Sequence, residues 1–265
     1  MEVIDLAWWK LGLAALLILA LALTSHMARL GVSRSLLIAT VRTVIQLALI
    51  GLVLEALFAS SAFYWIALLA LIMLLVAGRE VVARQGRRLR GWWAFGIGTG
   101  AMFVSSFTVT VLALTVVIGP DPWYAPQYAI PLLGMMLGNT MTGVSLALDR
   151  LNDSVWRQRA VIENRLMLGQ TWQQALEDIR RDAMRSGMMP SINAMAAAGI
   201  VSLPGMMTGQ ILAGSPPAVA VKYQILVMLI ITAGTGFGAV MAVGWGGRRL
   251  FDERERLRLD RLIEP

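Results

Sequence analysis

Polar side chains set within apolar stretches are the residues of this chain that could bind a small solute. Asn139, Thr142 and Ser145 follow one another at a spacing of three residues, which brings side chains close together on a helix. Their oxygen atoms, with those of Gln46 and Asn193, suit a hard cation better than a soft one. The same groups can also form hydrogen bonds between helices. If the chain moves a solute across a membrane, these residues are candidates to line its translocation path, and the sequence leaves any metal ligands undetermined.

A polar segment from Asp149 to Gly187 is the second candidate site, because it lies between two long apolar stretches. Glu163, Gly169 and Ile179 occur in it in the order E-x5-G-x9-I. We expect a helix from Leu151 to Leu168, ended by the glycine. With an apolar stripe along one side, this helix would continue outward from the preceding apolar stretch.

The residues after the glycine predict a second helix. Thr171 can cap its first turn, and Gln174 stands three residues later, as in a capping box. We expect this helix to run to about Met184. Two helices joined by a glycine turn form either a solvated amphipathic hairpin or a short rigid knob that docks onto another protein.

Several kinds of chemistry are excluded by composition. The chain has no cysteine and a single histidine, His26, so it cannot form disulfides, a cysteine-based zinc site, a thiol nucleophile or a histidine cluster. Neither lysine belongs to a G-x4-G-K-[ST] phosphate loop. No nucleophile or pair of acids at membrane depth indicates an enzyme, and we expect no cofactor in this chain. If ATP drives this protein, another chain must bind the nucleotide.

The elements that position these residues follow from hydrophobicity. The chain is 57% hydrophobic and 15% charged over 265 residues, which leaves too little polar surface for a soluble globule. Continuous apolar runs of about 20 residues predict membrane-spanning helices and not barrel strands. We expect an all-α, polytopic helical bundle that forms a single transmembrane domain over residues 1–265. Its spans, about seven in number, are expected at Leu6–Leu23, Leu36–Phe58, Ala62–Ala77, Trp92–Ile118, Tyr128–Leu148, Ser191–Ala213 and Tyr223–Trp245.

The arginines indicate which side of the membrane each loop faces. Alternating spans place every arginine on one side, and Lys10 and Lys222 on the other. By the positive-inside rule, the arginine side is cytoplasmic. We therefore expect the amino terminus outside and the carboxy terminus inside. The loop at 149–190 and the tail at 247–265 would both be cytoplasmic.

The net charge follows from the same topology. The formal charge of +7 is explained by inward-facing arginines and by their attraction to anionic membrane lipid, so no nucleic acid partner is expected. In the tail, basic and acidic residues alternate from Phe251 to Ile263. This pattern predicts an amphipathic helix at the inner membrane surface.

A proline interrupts the sixth expected span. Pro204 has no backbone N–H and its ring clashes with the carbonyl one turn earlier, so we expect a kink or unwinding near Ser202 to Thr208. Irregular backbone at membrane depth is tolerated where it lines a cavity or is buried in protein. Ser202, Pro204, Gly205 and Thr208 are therefore candidates for the translocation path, and a purely structural kink is the alternative.

The polar segment also resembles a motif of ABC transporter permeases, E-A-A-x3-G-x9-I-x-L-P, whose loop inserts into a cleft of the ATPase subunit. Glu163, Gly169 and Ile179 match this motif. The chain departs from it at Asn164, Arg165, Arg181 and Asp182. Three longer stretches look like the bacterial iron-export ABC permease family (UPF0014), which is related to plant aluminium-tolerance permeases. They are VRTVIQLALIGLVL at Val41–Leu54, IPLLGMMLGNTMTGVSLALDRL at Ile130–Leu151 and GIVSLPGMMTGQILAGSPPAVAVKYQ at Gly199–Gln224.

This resemblance implies a function for both candidate sites. The chain would be a permease in a bacterial plasma (inner) membrane, exporting iron or another metal in metal homeostasis. A cytoplasmic ABC ATPase subunit would carry ATP and magnesium, and two copies of the permease would form a homodimer. The coupling residues would be Glu163, Arg165, Gly169, Trp172 and Ile179. Two alternatives remain, a permease for another small solute such as a nucleotide sugar and a membrane scaffold that transports nothing.

Overall fold

The computed structural model describes residues 7–60 and 62–263, and it is built almost wholly from helices. Six of these helical segments are long and apolar enough to cross a membrane, which confirms the predicted all-α polytopic class. The helices are α1 Trp8–Met27, α2 Ser33–Ser60, α3 Phe63–Ala83, α4 Trp92–Met102, α5 Thr108–Leu112, α6 Pro126–Arg157, α7 Arg159–Met167, α8 Trp172–Ala175, α9 Glu177–Ala197, α10 Gly205–Leu212 and α11 Pro217–Arg249. Two short strands, β1 Arg88–Leu89 and β2 Leu262–Ile263, pair with each other.

Continuous helix covers six of the seven expected spans. The first expected span begins at Leu6, which lies outside the described residues. The fourth is continuous because π-helical turns at Phe103–Phe107 and Ala113–Ile118 join α4 and α5 into one segment from Trp92 to Ile118. The prediction of long apolar helices from hydropathy was therefore correct in these places.

The sixth expected span, Ser191–Ala213, was wrong as a continuous helix. Instead, α9 ends at Ala197 and α10 begins only at Gly205. An eight-residue helix such as α10 is about 12 Å long, far less than the roughly 30 Å of a bilayer core. The break also starts upstream of the predicted position, at Ala198.

Gly199 explains where α9 stops. Its φ of +84° is the left-handed conformation that commonly follows the last residue of a helix and that glycine adopts without steric cost. The backbone then doubles back, since the N–H of Gly199 donates to the carbonyl of Ser202 at 2.9 Å. Pro204 lies immediately before α10, where a missing N–H costs nothing.

The chain separates into two compact units, which we describe one at a time. The first consists of the described residues up to Ala62, with Leu212–Gly214. Within it, α1 packs against α2. The second unit runs over Phe63–Ile211 and the described residues from Ser215 onward. Its central helix is α6, which packs against α3, α9 and α11.

Small residues let the helices of the second unit approach closely. A Cβ atom placed on Gly187 of α9 would lie 2.6 Å from the carbonyl oxygen of Gly143 on α6 and 2.8 Å from the Cβ of Ala147. On α11, a Cβ at Gly238 would lie 2.7 Å from a side-chain carbon of Thr140 and 2.9 Å from the hydroxyl of Ser105. Membrane helices pack in this way because close backbone approach maximises van der Waals contact where no hydrophobic effect drives association.

The carboxy-terminal tail is not the predicted amphipathic helix. Phe251 and Leu257 form an isolated antiparallel bridge, and Leu262–Ile263 pairs with Arg88–Leu89 in the loop between α3 and α4. Glu255 has a φ of +57°, which an α-helix does not accommodate. The alternation of charges therefore belongs to a folded loop and not to a helical face.

Asp252 holds this folded tail together. Its carboxylate accepts hydrogen bonds from the backbone N–H groups of Arg254 and Arg256, each at 2.9 Å, and from the Arg256 guanidinium at 2.8 Å. These donors, the Arg256 backbone N–H first among them, keep the pKa of the Asp252 carboxyl below its ordinary value. Hydrogen bonds to the charged form favour ionisation.

We expect the tail to loosen in acid because of this depressed pKa. A carboxyl whose folded pKa lies below its unfolded value stabilises the fold above the unfolded value of about 4, and this contribution is lost as the pH falls through the folded value. A spin label at Glu253→Cys, unique because the chain has no cysteine, should become mobile as the pH falls below the unfolded carboxyl value of about 4. Asp252→Asn should leave it mobile at neutral pH and nearly insensitive to acid. An identical pH profile in both proteins would contradict this role.

Candidate functional site

The polar segment folds into a helical hairpin, which we call the hairpin and define as α7, the turn 168–171, α8 and the first turns of α9. Gly169 forms the turn with a φ of +84°, and its N–H donates to the carbonyl of Leu166 at 2.9 Å. Thr171 and Gln174 form the predicted capping box, each side chain bonding to the backbone N–H of the other. The glycine break and the cap are thus confirmed.

The boundaries of the two hairpin helices differ from the prediction. The first helix is interrupted at Gln158, whose φ of −101° and ψ of 18° separate α6 from α7. The second is interrupted at Leu176 and does not end near Met184. It continues as α9 to Ala197, so the same helix leads from the hairpin to the break at Ala198.

Buried apolar side chains hold the hairpin against the end of α6. Ile162 of α7, Leu176 and Ile179 are buried together with Leu151 and Val155 near the end of α6. Ile179 is only 5% exposed. The expected coupling residue Ile179 is therefore a packing residue that links the hairpin to the helical core.

Ion pairs orient the hairpin helices. Arg165 donates to the carbonyl of Ala175 at 3.3 Å and pairs with Asp178 at 3.0 Å, which ties α7 to α8 and α9. Arg150 of α6 pairs with Asp182 of α9 at 2.7 Å. Exposed pairs of this kind contribute about 0–1 kcal/mol each to the stability of the fold. They therefore orient the hairpin helices more than they stabilise them.

The tail binds the start of α8 through a hydrogen bond and a ring contact. The sequence did not predict this arrangement. A carboxylate oxygen of Glu255 accepts a hydrogen bond from the N–H of Trp172 at 3.0 Å. The Trp172 ring packs against Phe251, with centroids 5.9 Å apart, and has the guanidinium groups of Arg180 and Arg248 at 5.6 and 5.8 Å from its centroid. Trp172, an expected coupling residue, therefore joins the hairpin to the tail. No spacing in the sequence relates residues so far apart.

The tip of the hairpin exposes apolar side chains. Met167 is 78% exposed and Leu168 is 83% exposed, directly before Gly169. Glu163 is also exposed, one turn earlier on α7. Exposed large apolar side chains beside an ordered turn are typical of a surface that a partner covers. Of the expected coupling residues, Glu163 and Gly169 lie towards this tip, whereas Arg165, Trp172 and Ile179 hold the hairpin together.

A cavity of about 400 Å³ adjoins the break in the sixth expected span. Its lining includes the break residues Gly199 and Pro204 and the side chain of Gln224 on α11. Gln224 is 7% exposed, and its amide oxygen has no hydrogen-bond partner within the described residues. Three methionines, Met195, Met207 and Met228, also line it. The cavity is thus mainly apolar, with one unsatisfied polar acceptor.

The expected path residues are spread over several elements. Pro204 lines the cavity, while Ser202 and Gly205 are exposed beside it. Thr208 uses its hydroxyl to donate to the carbonyl of Gly205 at 2.9 Å. Asn193 is exposed on α9, before the break. The break therefore gathers the four residues from Ser202 to Thr208 that the proline indicated, and the cavity adds Gln224 and the methionines.

On α6, the three expected path residues do not share one environment. Asn139 is exposed, Thr142 is half-buried and Ser145 is buried. Asn139 and Thr142 donate back to the carbonyls of Met135 and Gly138 in their own helix. A spacing of three residues drifts around a helix with 3.6 residues per turn, which explains the change in burial. Gln46 lies exposed on α2, in the first unit.

The carboxylate and imidazole side chains of the described residues do not gather into a metal site. Within residues 7–60 and 62–263, no three His, Cys, Asp or Glu side chains come together. Thioethers and one amide line the cavity instead, and thioether sulfur favours soft ions.

Comparison with known proteins gives consistent matches over most of the chain. A model of an uncharacterised protein family, UPF0014, matches residues 8–251. A UPF0014 membrane protein of Synechocystis is 37% identical over 263 residues, which cover 96% of this chain and 97% of the relative. The Escherichia coli protein named probable iron export permease protein FetB is 31% identical over 254 residues, covering 94% and 93%. Protein ALUMINUM SENSITIVE 3 of Arabidopsis thaliana is 33% identical over 217 residues, covering 81% and 77%. No solved structure matches.

Proposed function

The chain belongs to the UPF0014 family of membrane proteins, and from this we propose that it is the permease subunit of an ATP-driven transporter whose ATPase is a separate chain. The continuity of α9 is the observation that carries the proposal. This 21-residue helix begins in the hairpin and ends at the break beside the cavity. Over about 30 Å, one helix therefore links the hairpin to the break, with Pro190 inside it.

The hairpin is the proposed coupling element. Its exposed tip, Met167 and Leu168, provides an apolar contact for a cleft in the ATPase. Its buried base, through Ile179, prevents it from moving independently of α6. Closure of the ATPase upon ATP would displace the hairpin as one body and thereby change the access to the cavity. Packed helices pass on such shifts because they move between discrete arrangements.

The proposed orientation keeps the arginine-rich loops in the cytoplasm of a bacterial inner membrane. The hairpin and the tail, which carry about half of the arginines, then face the ATPase. In this topology the broken segment Ser191–Ala213 makes the sixth crossing as α9, the break and α10. Each permease offers one hairpin, so two permeases and two ATPase subunits form the transporter.

Iron or another metal is the proposed cargo, moved outward in metal homeostasis. The support is similarity to the protein named probable iron export permease FetB and to the protein named ALUMINUM SENSITIVE 3. Irregular backbone beside a cavity is also typical of a substrate path, and this favours transport over a scaffold that transports nothing. A nucleotide sugar is the competing cargo, to be separated by experiment.

Leu168→Asp tests the coupling step. The side chain is 83% exposed, so the variant should fold normally, but a charge at the tip should weaken ATPase binding about tenfold, or roughly 1.4 kcal/mol. Binding would be measured by titrating the purified permease in nanodiscs with its ATPase. The matched control exchanges the two tip residues, Met167→Leu with Leu168→Met, which keeps the exposed apolar surface. Unchanged binding by Leu168→Asp would show that the tip does not contact the ATPase.

Transport would be measured in the same preparation. The permease and its ATPase, reconstituted in vesicles, would be supplied with iron, other metals and a nucleotide sugar in turn. We expect ATP-dependent movement of iron, lost in Leu168→Asp and kept in the exchanged control. Movement of the nucleotide sugar alone would overturn the metal cargo, and the absence of any ATP-dependent movement would overturn the permease function.

A further inference from the structure

The folded tail borders an open basic cavity at the end of α11. The cavity has a volume of about 1090 Å³, and its walls come from α4, α11 and the tail. Six arginines line it, against two carboxylates, those of Asp252 and Glu253. They are Arg248, Arg249, Arg254, Arg256, Arg258 and Arg261.

Only some of these arginines are neutralised. Arg256 pairs with Asp252 at 2.8 Å, and Arg258 pairs with Asp260 at 2.8 Å. Arg261 is instead held by carbonyl oxygens, that of Arg249 at 2.7 Å and that of Phe251. A carbonyl positions a guanidinium without cancelling its charge, so Arg261 remains a cation directed along the cavity wall.

Two further arginines keep their charge. The guanidinium of Arg249 lies over the Trp93 ring at 4.2 Å from its centroid, a contact that fixes the group and leaves it positive. Arg254 is exposed at the rim, and in the described part of the chain its side chain has no ion pair. Six arginines against the three carboxylates of Asp252, Glu253 and Asp260 leave a net charge of +3 around the cavity.

The remaining lining is apolar and belongs to the membrane-spanning helices. Trp93 and Ile97 come from the first turns of α4, and Trp245 comes from the last turns of α11. Both indole rings are about half exposed. Tryptophan is typical of the headgroup level of a bilayer. The cavity thus joins the ends of two apolar spans to a cluster of cations.

We propose that this cavity binds the phosphate group of an anionic phospholipid. Guanidinium groups form paired hydrogen bonds with phosphate oxygens, and basic pockets beside membrane helices on the cytoplasmic side bind anionic headgroups. Arg249, Arg254 and Arg261 hold the phosphate, while Trp93 and Trp245 lie along the glycerol and the first acyl carbons. A bound lipid would fix the tail, and through Glu255 and Trp172 the hairpin, against the membrane.

The test uses the full-length protein in nanodiscs and does not depend on the ATPase or on transport. Native mass spectrometry would measure the retention of phosphatidylglycerol and of phosphatidylcholine by wild type and by Arg249→Gln with Arg254→Gln. Each arginine near an anionic headgroup contributes about a fivefold factor, so the double variant should retain phosphatidylglycerol roughly 30-fold less well. Retention of phosphatidylcholine should not change.

Two further variants are controls, one for a general loss of positive charge and one for misfolding of the tail. Arg159→Gln with Arg185→Gln removes the same charge from exposed arginines outside the cavity and should retain the anionic lipid as wild type does. Arg254→Gln alone changes an exposed side chain that cannot unfold the tail, and it should lose about fivefold. Thermal unfolding of all variants would show that the tail still packs.

Three results would overturn the proposal. Equal retention of both lipids by wild type would show that the cavity does not select an anion. An equal loss in the cavity variant and the charge control would indicate only general surface attraction. Binding of inorganic phosphate or glycerophosphate, dependent on Arg249 and Arg254 and as tight in phosphatidylcholine nanodiscs as that of phosphatidylglycerol, would assign the cavity to a soluble anion.

Discussion

Gly169→Val is expected to reduce ATP-dependent transport strongly while leaving the spans folded. The backbone of Gly169 has a φ of +84°, and a Cβ atom there would meet no atom within 4 Å. The cost of the substitution is therefore backbone strain and not a clash. A left-handed conformation costs an ordinary residue about 1–2 kcal/mol, and a β-branched residue more. The turn would open and displace the tip, which should lower transport about tenfold or more.

Gly169→Asn is the control for this prediction. Asparagine enters the left-handed region more readily than other residues with a side chain, so it should keep most of the transport. Both variants would be assayed in vesicles for ATP hydrolysis and for movement of the cargo, because uncoupling lowers the second relative to the first. Wild-type transport by Gly169→Val would mean that the shape of the turn does not matter for coupling.

Gly187→Leu is expected to have the largest effect on stability. The position lies where α9 packs against both α6 and α11, and a Cβ atom would be 2.6 Å from the carbonyl oxygen of Gly143 and 3.2 Å from the Cβ of Ala239. Backbone atoms cannot move aside as a flexible side chain can. Overpacking of this kind costs about 1–3 kcal/mol and occasionally more, and leucine adds further carbon atoms beyond the Cβ. We expect a loss of at least about 3 kcal/mol, at the upper end of that range.

Thermal unfolding in detergent would measure this loss, and Gly244→Ala provides the comparison. Gly244 lies within α11, and a Cβ atom at this position would meet no atom within 4 Å. Alanine there should be neutral or stabilising by about 0.5–1 kcal/mol, because glycine weakens a helix interior. A Gly187→Leu protein that unfolds at the wild-type temperature would show that α9 and α6 can separate without cost.

Local signals in the sequence predicted much of the hairpin. Gly169 and the Thr171 capping box were correct because each depends on residues within one turn of the chain. The same holds for the six continuous spans, whose apolar runs satisfy the length of a bilayer. Local signals could not predict the roles of Trp172 and Ile179, because both roles depend on contacts with distant helices and the tail.

The break was only half predicted. Pro204 indicated irregular backbone in the sixth span, but α9 already ends at Ala197. Gly199 explains why α9 ends before the proline, and the pairing of Ala198 with Ser202 completes the turn. Glycine is common within membrane helices, so its presence alone does not tell a helix end from a packing position. Whether a glycine ends a helix or packs against a neighbouring helix is decided by the contacts that it makes in the folded protein.

By itself, the sequence determined the class of this protein, its apolar helices and the turn of its hairpin. These features follow from hydrophobicity and from interactions between near neighbours, which act in the same way wherever the chain folds. Only the tertiary structure decided that α9 joins the hairpin to a cavity, and that the tail folds back to build a basic pocket. Those arrangements depend on pairs such as Glu255 with Trp172 and Leu262 with Leu89. Contacts between residues so distant in the chain leave no periodic pattern in one sequence.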